Sequence, residues 1–71
     1  MISAKDLAAH MSAHADDHEQ QATKIDATAK GMTKPGERRT REELQRKSRG
    51  LSQLVYHLRN GVRAMKAAGL I

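Results

Sequence analysis

The sequence has no cysteine, no phenylalanine and no tryptophan, and it holds one tyrosine and one proline among its 71 residues. Each absence closes a route. Without cysteine there is no disulfide framework to hold a small domain together. Without large aromatics the core must come from Leu, Val, Ile, Met and Ala, and a chain of this length hides only about 60% of the surface its unfolded form exposes. Ordering costs about 1.5 kcal/mol per residue, which two amphipathic helices barely offset, so scaffolds of this size are commonly completed by a metal or by a second subunit. No stretch approaches the roughly 18 uninterrupted apolar residues of a membrane span. The opening MISAKDLAAH also lacks a basic segment followed by an apolar one, so the expectation is a cytoplasmic protein, neither secreted nor membrane-bound. No alternating strand pattern and no glycine-rich phosphate loop occurs.

What is present is a run of four heptads from Leu7 to Lys34: LAAHMSA, HADDHEQ, QATKIDA and TAKGMTK. The second place is always alanine, at Ala8, Ala15, Ala22 and Ala29, and the fifth reads Met11, His18, Ile25 and Met32. A seven-residue alanine column lies along one strip of an α-helix and lets a neighbouring backbone come close, which predicts long helices packed side by side. The chain therefore reads as all-α, a single helical-hairpin domain over residues 1–71.

Local signals set the expected limits. Ser3 suits an N-cap, with Asp6 three places on and Ile2 and Leu7 spaced as a hydrophobic staple, so the first helix is predicted over about residues 4–30, with Gly31 as a left-handed stop. Pro35-Gly36 suits a type II turn within a loop over 31–39. Thr40 and Glu43 form a T-x-x-E capping box, so the second helix is predicted over about 41–68, stopping at Gly69. Gly50, inside that helix, reads as a kink or a close-approach position that costs about 1 kcal/mol relative to alanine. A helix-turn-helix is not favoured there, because Arg46 and Arg49 fall where that motif wants small or buried residues.

The second helix carries a seam of Leu44, Leu51, Val55, Leu58, Val62 and Met65, and beside it a second one of Leu54, His57, Gly61, Ala64 and Ala68. Together they cover roughly 160° of the helix at about 100° per residue, more than one antiparallel neighbour needs. The expected assembly is a homodimer forming a four-helix bundle, with Leu51, Leu54, Val55, Leu58, Gly61, Val62, Met65 and Ala68 at the interface.

Charge is unevenly shared: residues 1–32 carry a net −2, residues 33–49 a net +4, and residues 50–71 a net +3 with no acid at all. On a helical wheel Arg41, Ser52, Tyr56, Arg59, Arg63 and Lys66 fall on one flank with Arg49 at its margin, the loop end adds Lys34, Arg38 and Arg39, and Arg46 and Lys47 sit near it on another face. Arg59 and Arg63 could instead pair with Asp6, Asp16 or Asp17 on a neighbouring helix. A strip of cations without acids repels itself and is relieved by an anionic partner, so these residues are the candidate binding site. Arginine grips phosphate bidentately, Ser52 can add a hydrogen bond, and Tyr56 can stack on an unpaired base.

His10, His14 and His18 recur at the i, i+4 spacing by which imidazoles can share a zinc ion, and in a hairpin turning near Pro35 residues whose numbers sum to roughly 71 should face each other, bringing His57 toward His14. The favoured reading is structural, with His14 and His18 as polar members of the seam, so no metal and no cofactor is expected. No catalytic set stands out, and a two-helix hairpin offers no substrate-sized pocket. The expectation is a small non-catalytic regulatory protein that binds a nucleic-acid backbone, with itself as the other partner and no small-molecule substrate. The alternative is a protein-binding adaptor or inhibitor, for example a phage or mobile-element accessory protein that masks an acidic surface of a host protein.

Overall fold

Two antiparallel helices form a rod of 52 × 16 × 16 Å. The structure is a computed structural model, and it describes residues 2–71. Helix α1 spans Ala4–Lys30 and helix α2 spans Arg38–Ala67, joined by a short 3₁₀ turn over Pro35–Glu37. No strand occurs among the described residues. No helix among them is long and apolar enough to cross a membrane.

The start of α1 follows its local chemistry. The Ser3 hydroxyl accepts from the Asp6 N–H at 3.1 Å, and the Asp6 carboxylate sits in the first turn, where it opposes the positive end of the helix. The end of α2 is equally local. Gly69 takes φ +75, the Gly69 N–H donates to Lys66 O at 3.0 Å and the Leu70 N–H to Met65 O at 2.9 Å. This pair of bonds is a Schellman closure, for which the left-handed glycine is the enabling residue.

The connection departs from the sequence-based expectation at three points. Gly31 stays right-handed, with φ −75 and ψ −11, and its N–H is shared between Ala27 O and Thr28 O. Pro35-Gly36 forms a 3₁₀ turn closed by the Glu37 N–H on Lys34 O at 3.0 Å, not a type II turn. The fixed φ of proline feeds directly into helical geometry, so α2 starts at Arg38 and Thr40 lies inside it without capping anything. Glu42 and Glu43 pair backward with Arg38 (3.2 Å) and Arg39 (3.6 Å). Three further helical residues and two i, i+4 pairs of about 0.3 kcal/mol each outweigh one side-chain cap.

The interior is thin and made mostly of alanine. Ala8, Ala15, Ala22 and Ala29 are all buried, Ala15 completely, and of α2 only Ser48 and Val55 are buried. Two rows of α2 face this column: Arg41, Ser48, Val55, Val62 and Leu44, Leu51, Leu58, Met65, which alternate by three and four. The leucines, Val62 and Met65 are half-buried because a single neighbour covers only part of them. Ser48 belongs to the inner row, and its hydroxyl donates to Ala22 O across the interface at 3.4 Å. That bond lets a polar side chain sit against the α1 backbone without an unsatisfied donor.

The register agrees with a turn near Pro35: Ser48 meets Ala22, and Gly61 meets Met11. Gly61 is the close-approach glycine. A Cβ there would lie 2.6 Å from Met11 Cε, so its absence lets the thioether lie across α2. Gly50 has open space around it, with no atom of the hairpin within 4 Å of where a Cβ would stand, so no close approach within the chain requires it. Gly50→Ala should therefore stabilise the fold by about 1 kcal/mol through helix propensity alone. Thermal unfolding checks this as a rise of about 4–8 °C in Tm.

Candidate functional site

The basic residues of α2 divide by what lies beside them. Ser52, Arg59 and Lys66 form the row next to the seam, on the side where α1 carries Glu19 and Asp26. Arg59 donates to Asp16 Oδ1 at 3.3 Å and also pairs with Glu19. Its hydrogen bonds to Glu19 and then to Asp16 raise the Arg59 guanidinium above its ordinary value, so it stays charged and held. Arg59 thus ties the two helices together on the flank of the rod. Glu19 is absent from the carboxylates that the sequence suggested for it. Its place follows from the antiparallel register, in which residues flanking the seam on one helix meet their counterparts on the other.

Arg49, Tyr56 and Arg63 form the next row outward. They recur every seven residues, about 10.5 Å apart along the axis, so the two arginines lie about 21 Å from one another with the tyrosine between them. Arg49, Arg63 and the neighbouring Lys66 make no ion pair among the described residues. Tyr56 is 65% exposed, and its ring meets His57 edge-on with centroids 5.7 Å apart. The contact steadies the phenol and leaves most of the ring open.

At the turn end the cations are more engaged. Arg38 and Arg39 are shared with Glu42 and Glu43, and Arg41 reaches Met32 O at 3.5 Å, beyond the end of α1. There its positive charge opposes the negative end of the α1 dipole. The first turn of α2 itself contains no acid, and its arginines stand near the positive end of their own helix. Of the candidate cations, Arg49, Arg63 and Lys66 therefore form the open set, and Arg38, Arg39, Arg41 and Arg59 have structural partners.

Leu51, Val55, Leu58, Val62 and Met65, expected at an interface between chains, face α1 within the same chain. Leu54 and Ala68 remain exposed on the other flank, with Gly61 half-buried between them.

The histidines do not converge on one point among the described residues. His18 alone points into the seam, where its Nδ1 is buried without a hydrogen-bond partner. His14 is exposed, so its expected place inside the seam is not the observed one, because it sits one position outside the alanine column. The rings of His10 and His14 are 4.3 Å apart and those of His14 and His18 are 6.0 Å apart. Among the described residues no group of three or more His, Cys, Asp or Glu side chains converges to hold a metal. A recess of about 460 Å³ lined by Asp16, Glu19, Gln20, Thr23 and Lys24 is a wide surface dip along α1 and not a cleft.

No protein-family model matches this chain, and no curated protein or solved structure does either.

Proposed function

We propose that this chain is a small non-catalytic regulatory protein that binds a nucleic-acid backbone along the outer row of α2, acting as a pair of hairpins joined in a four-helix bundle. The observation that carries the reading is the open line Arg49, Tyr56, Arg63 with Lys66 beside it, a set of cations that no carboxylate neutralises among the described residues, while Arg38 and Arg39 each have one and Arg59 has two. A duplex strand presents a charge about every 3.4 Å along its axis, so a line about 21 Å long spans roughly six phosphates. Tyr56 midway along it offers a stacking face to an unpaired base.

Pairing of hairpins is supported by surface area. The single chain exposes 5543 Å². A compact monomer of 7.9 kDa would expose about 4,400 Å². The surplus of about 1,100 Å² per chain is comparable to the roughly 800 Å² per partner of a standard interface. Two chains in a bundle would carry the formal +5 of each, enough for salt-sensitive attraction to phosphate.

The test is a gel-shift titration with short single- and double-stranded RNA and DNA at several salt concentrations. Retarded migration that weakens steeply as salt rises is the expected result. No retardation, together with a stoichiometric complex with one host protein that survives nuclease, would replace this reading with masking of an acidic protein surface.

A further inference from the structure

The flank of the rod opposite Arg59 is of a different character. On α2 it is formed by Gly50, Leu54, His57, Gly61, Ala64 and Ala68, and on α1 the same side carries Leu7, His10 and His14. In a sequence that is 30% charged, these nine residues carry no formal charge at neutral pH, and Lys47, seven residues before Leu54 on the same row of α2, is the cation at the turn end of the flank. Leu54 is 49% and Leu7 40% exposed, while alanine and glycine keep the α2 surface low, as close helix packing requires. Three of the four histidines lie on this one side, and the fourth, His18, faces the seam with its ring centroid 6.0 Å from that of His14.

We propose that a second copy of the chain docks on this uncharged flank, and that His10, His14 and His57 make the docking depend on their being neutral. The inference rests on the paired-hairpin reading and specifies its face and its control. A second copy is the occupant because the surplus surface of one chain matches what one side of a dimer covers, and because docking here leaves Arg49, Tyr56, Arg63 and Lys66 on the outside of the pair. Imidazole is the side chain that ordinarily changes charge between about pH 5 and pH 8.

The groups facing these rings do not offset that charge. On α1, Asp6 precedes His10 by one turn, and Asp17 follows His14 with one carboxylate oxygen accepting from Gln21 Nε2 at 3.1 Å. On α2, His57 meets the neutral Tyr56 ring, residues 50, 54, 61, 64 and 68 of the same side are uncharged, and Lys47 at the turn end of the Leu54 row adds a cation and no acid. The second copy brings the same set. Protonation would thus place up to three cations per chain against two carboxylates at the margin, in an interface that excludes water.

Sedimentation of the whole chain with a chelator present, at about pH 7.5 and about pH 5.5 and constant ionic strength, reads the effect across the imidazole range. Two-chain particles at the higher pH should dissociate at least tenfold more readily at the lower one, with helicity by circular dichroism unchanged. His10→Gln, His14→Gln and His57→Gln together should keep the pair at both values, and Leu54→Lys should give single, fully helical chains at both. Equal pairing at both values would overturn the histidine control while the bundle stands. Pairing that survives Leu54→Lys would overturn the choice of face. Single chains of the parent at both values would overturn the paired-hairpin reading as well. Pairing seen only without chelator would assign the histidines to a metal bridge, and loss of helicity at the lower value would locate the effect in the seam. Either of those results would overturn the proposal.

Discussion

Ala15→Leu should lower the melting temperature by about 10–20 °C, the largest effect expected of any single substitution in this chain. Ala15 is fully buried on the face that α1 turns toward α2. The register sets it beside Val55 and Leu58. Three additional carbons there have no void to fill, so the helices must separate or the side chain must take a strained rotamer. Overpacking of this kind costs about 1–3 kcal/mol. The whole chain, at about 0.05–0.15 kcal/mol per residue, has little to lose. Ala27→Leu on the exposed side of α1 is the control and should melt close to the parent, because the same side chain meets only solvent there. Equal melting of the two variants would show that the alanine column is not the packing surface.

Replacing Arg49, Arg63 and Lys66 together with alanine should weaken nucleic-acid binding by a factor on the order of 10²–10³ at moderate salt. Each lost phosphate contact removes about 0.9 from the slope of log affinity against log salt, so three should flatten it by about 2.7 per chain. Arg59→Ala should behave differently. Its guanidinium is already held by Glu19 and Asp16, so its removal takes little from the slope and leaves two carboxylates unpaired on the flank. Binding should fall modestly. Gel-shift titrations of the variants decide between the two sets. A slope that drops as much for Arg59→Ala as for Arg63→Ala would mean that Arg59 leaves its carboxylates to meet phosphate, and the division of the basic surface into held and open cations would fail.

The features readable from the residues alone have causes that lie within a turn or so. Ser3 and Asp6 are three positions apart, and the Schellman closure at Gly69 involves only residues 65–70. The alanine column needed no partner to be seen, because a seven-residue repeat already implies one face of a helix. The start of α2 was harder to read. A cap at Thr40 and a continuous path from Pro35 differ by a few bonds of about 1 kcal/mol each, and the balance went to the path that adds helical residues. Ser48 is hard to place for a related reason: a serine in a basic stretch looks solvated until its hydroxyl finds Ala22 O on the facing helix.

Composition and spacing were enough for the all-helical class, the hairpin and its register, since helix periodicity and one proline-marked turn leave few other arrangements for so short a chain. They could not distinguish Arg59 from Arg63, four residues apart on neighbouring rows of one helix. Which of the two stays open depends on where Asp16 and Glu19 stand, some forty positions away in the chain, and only the packed pair of helices brings those charges within reach. The two seams of α2 divide for the same reason: α1 is one helix wide, so it covers Val55 and leaves Leu54 in the open.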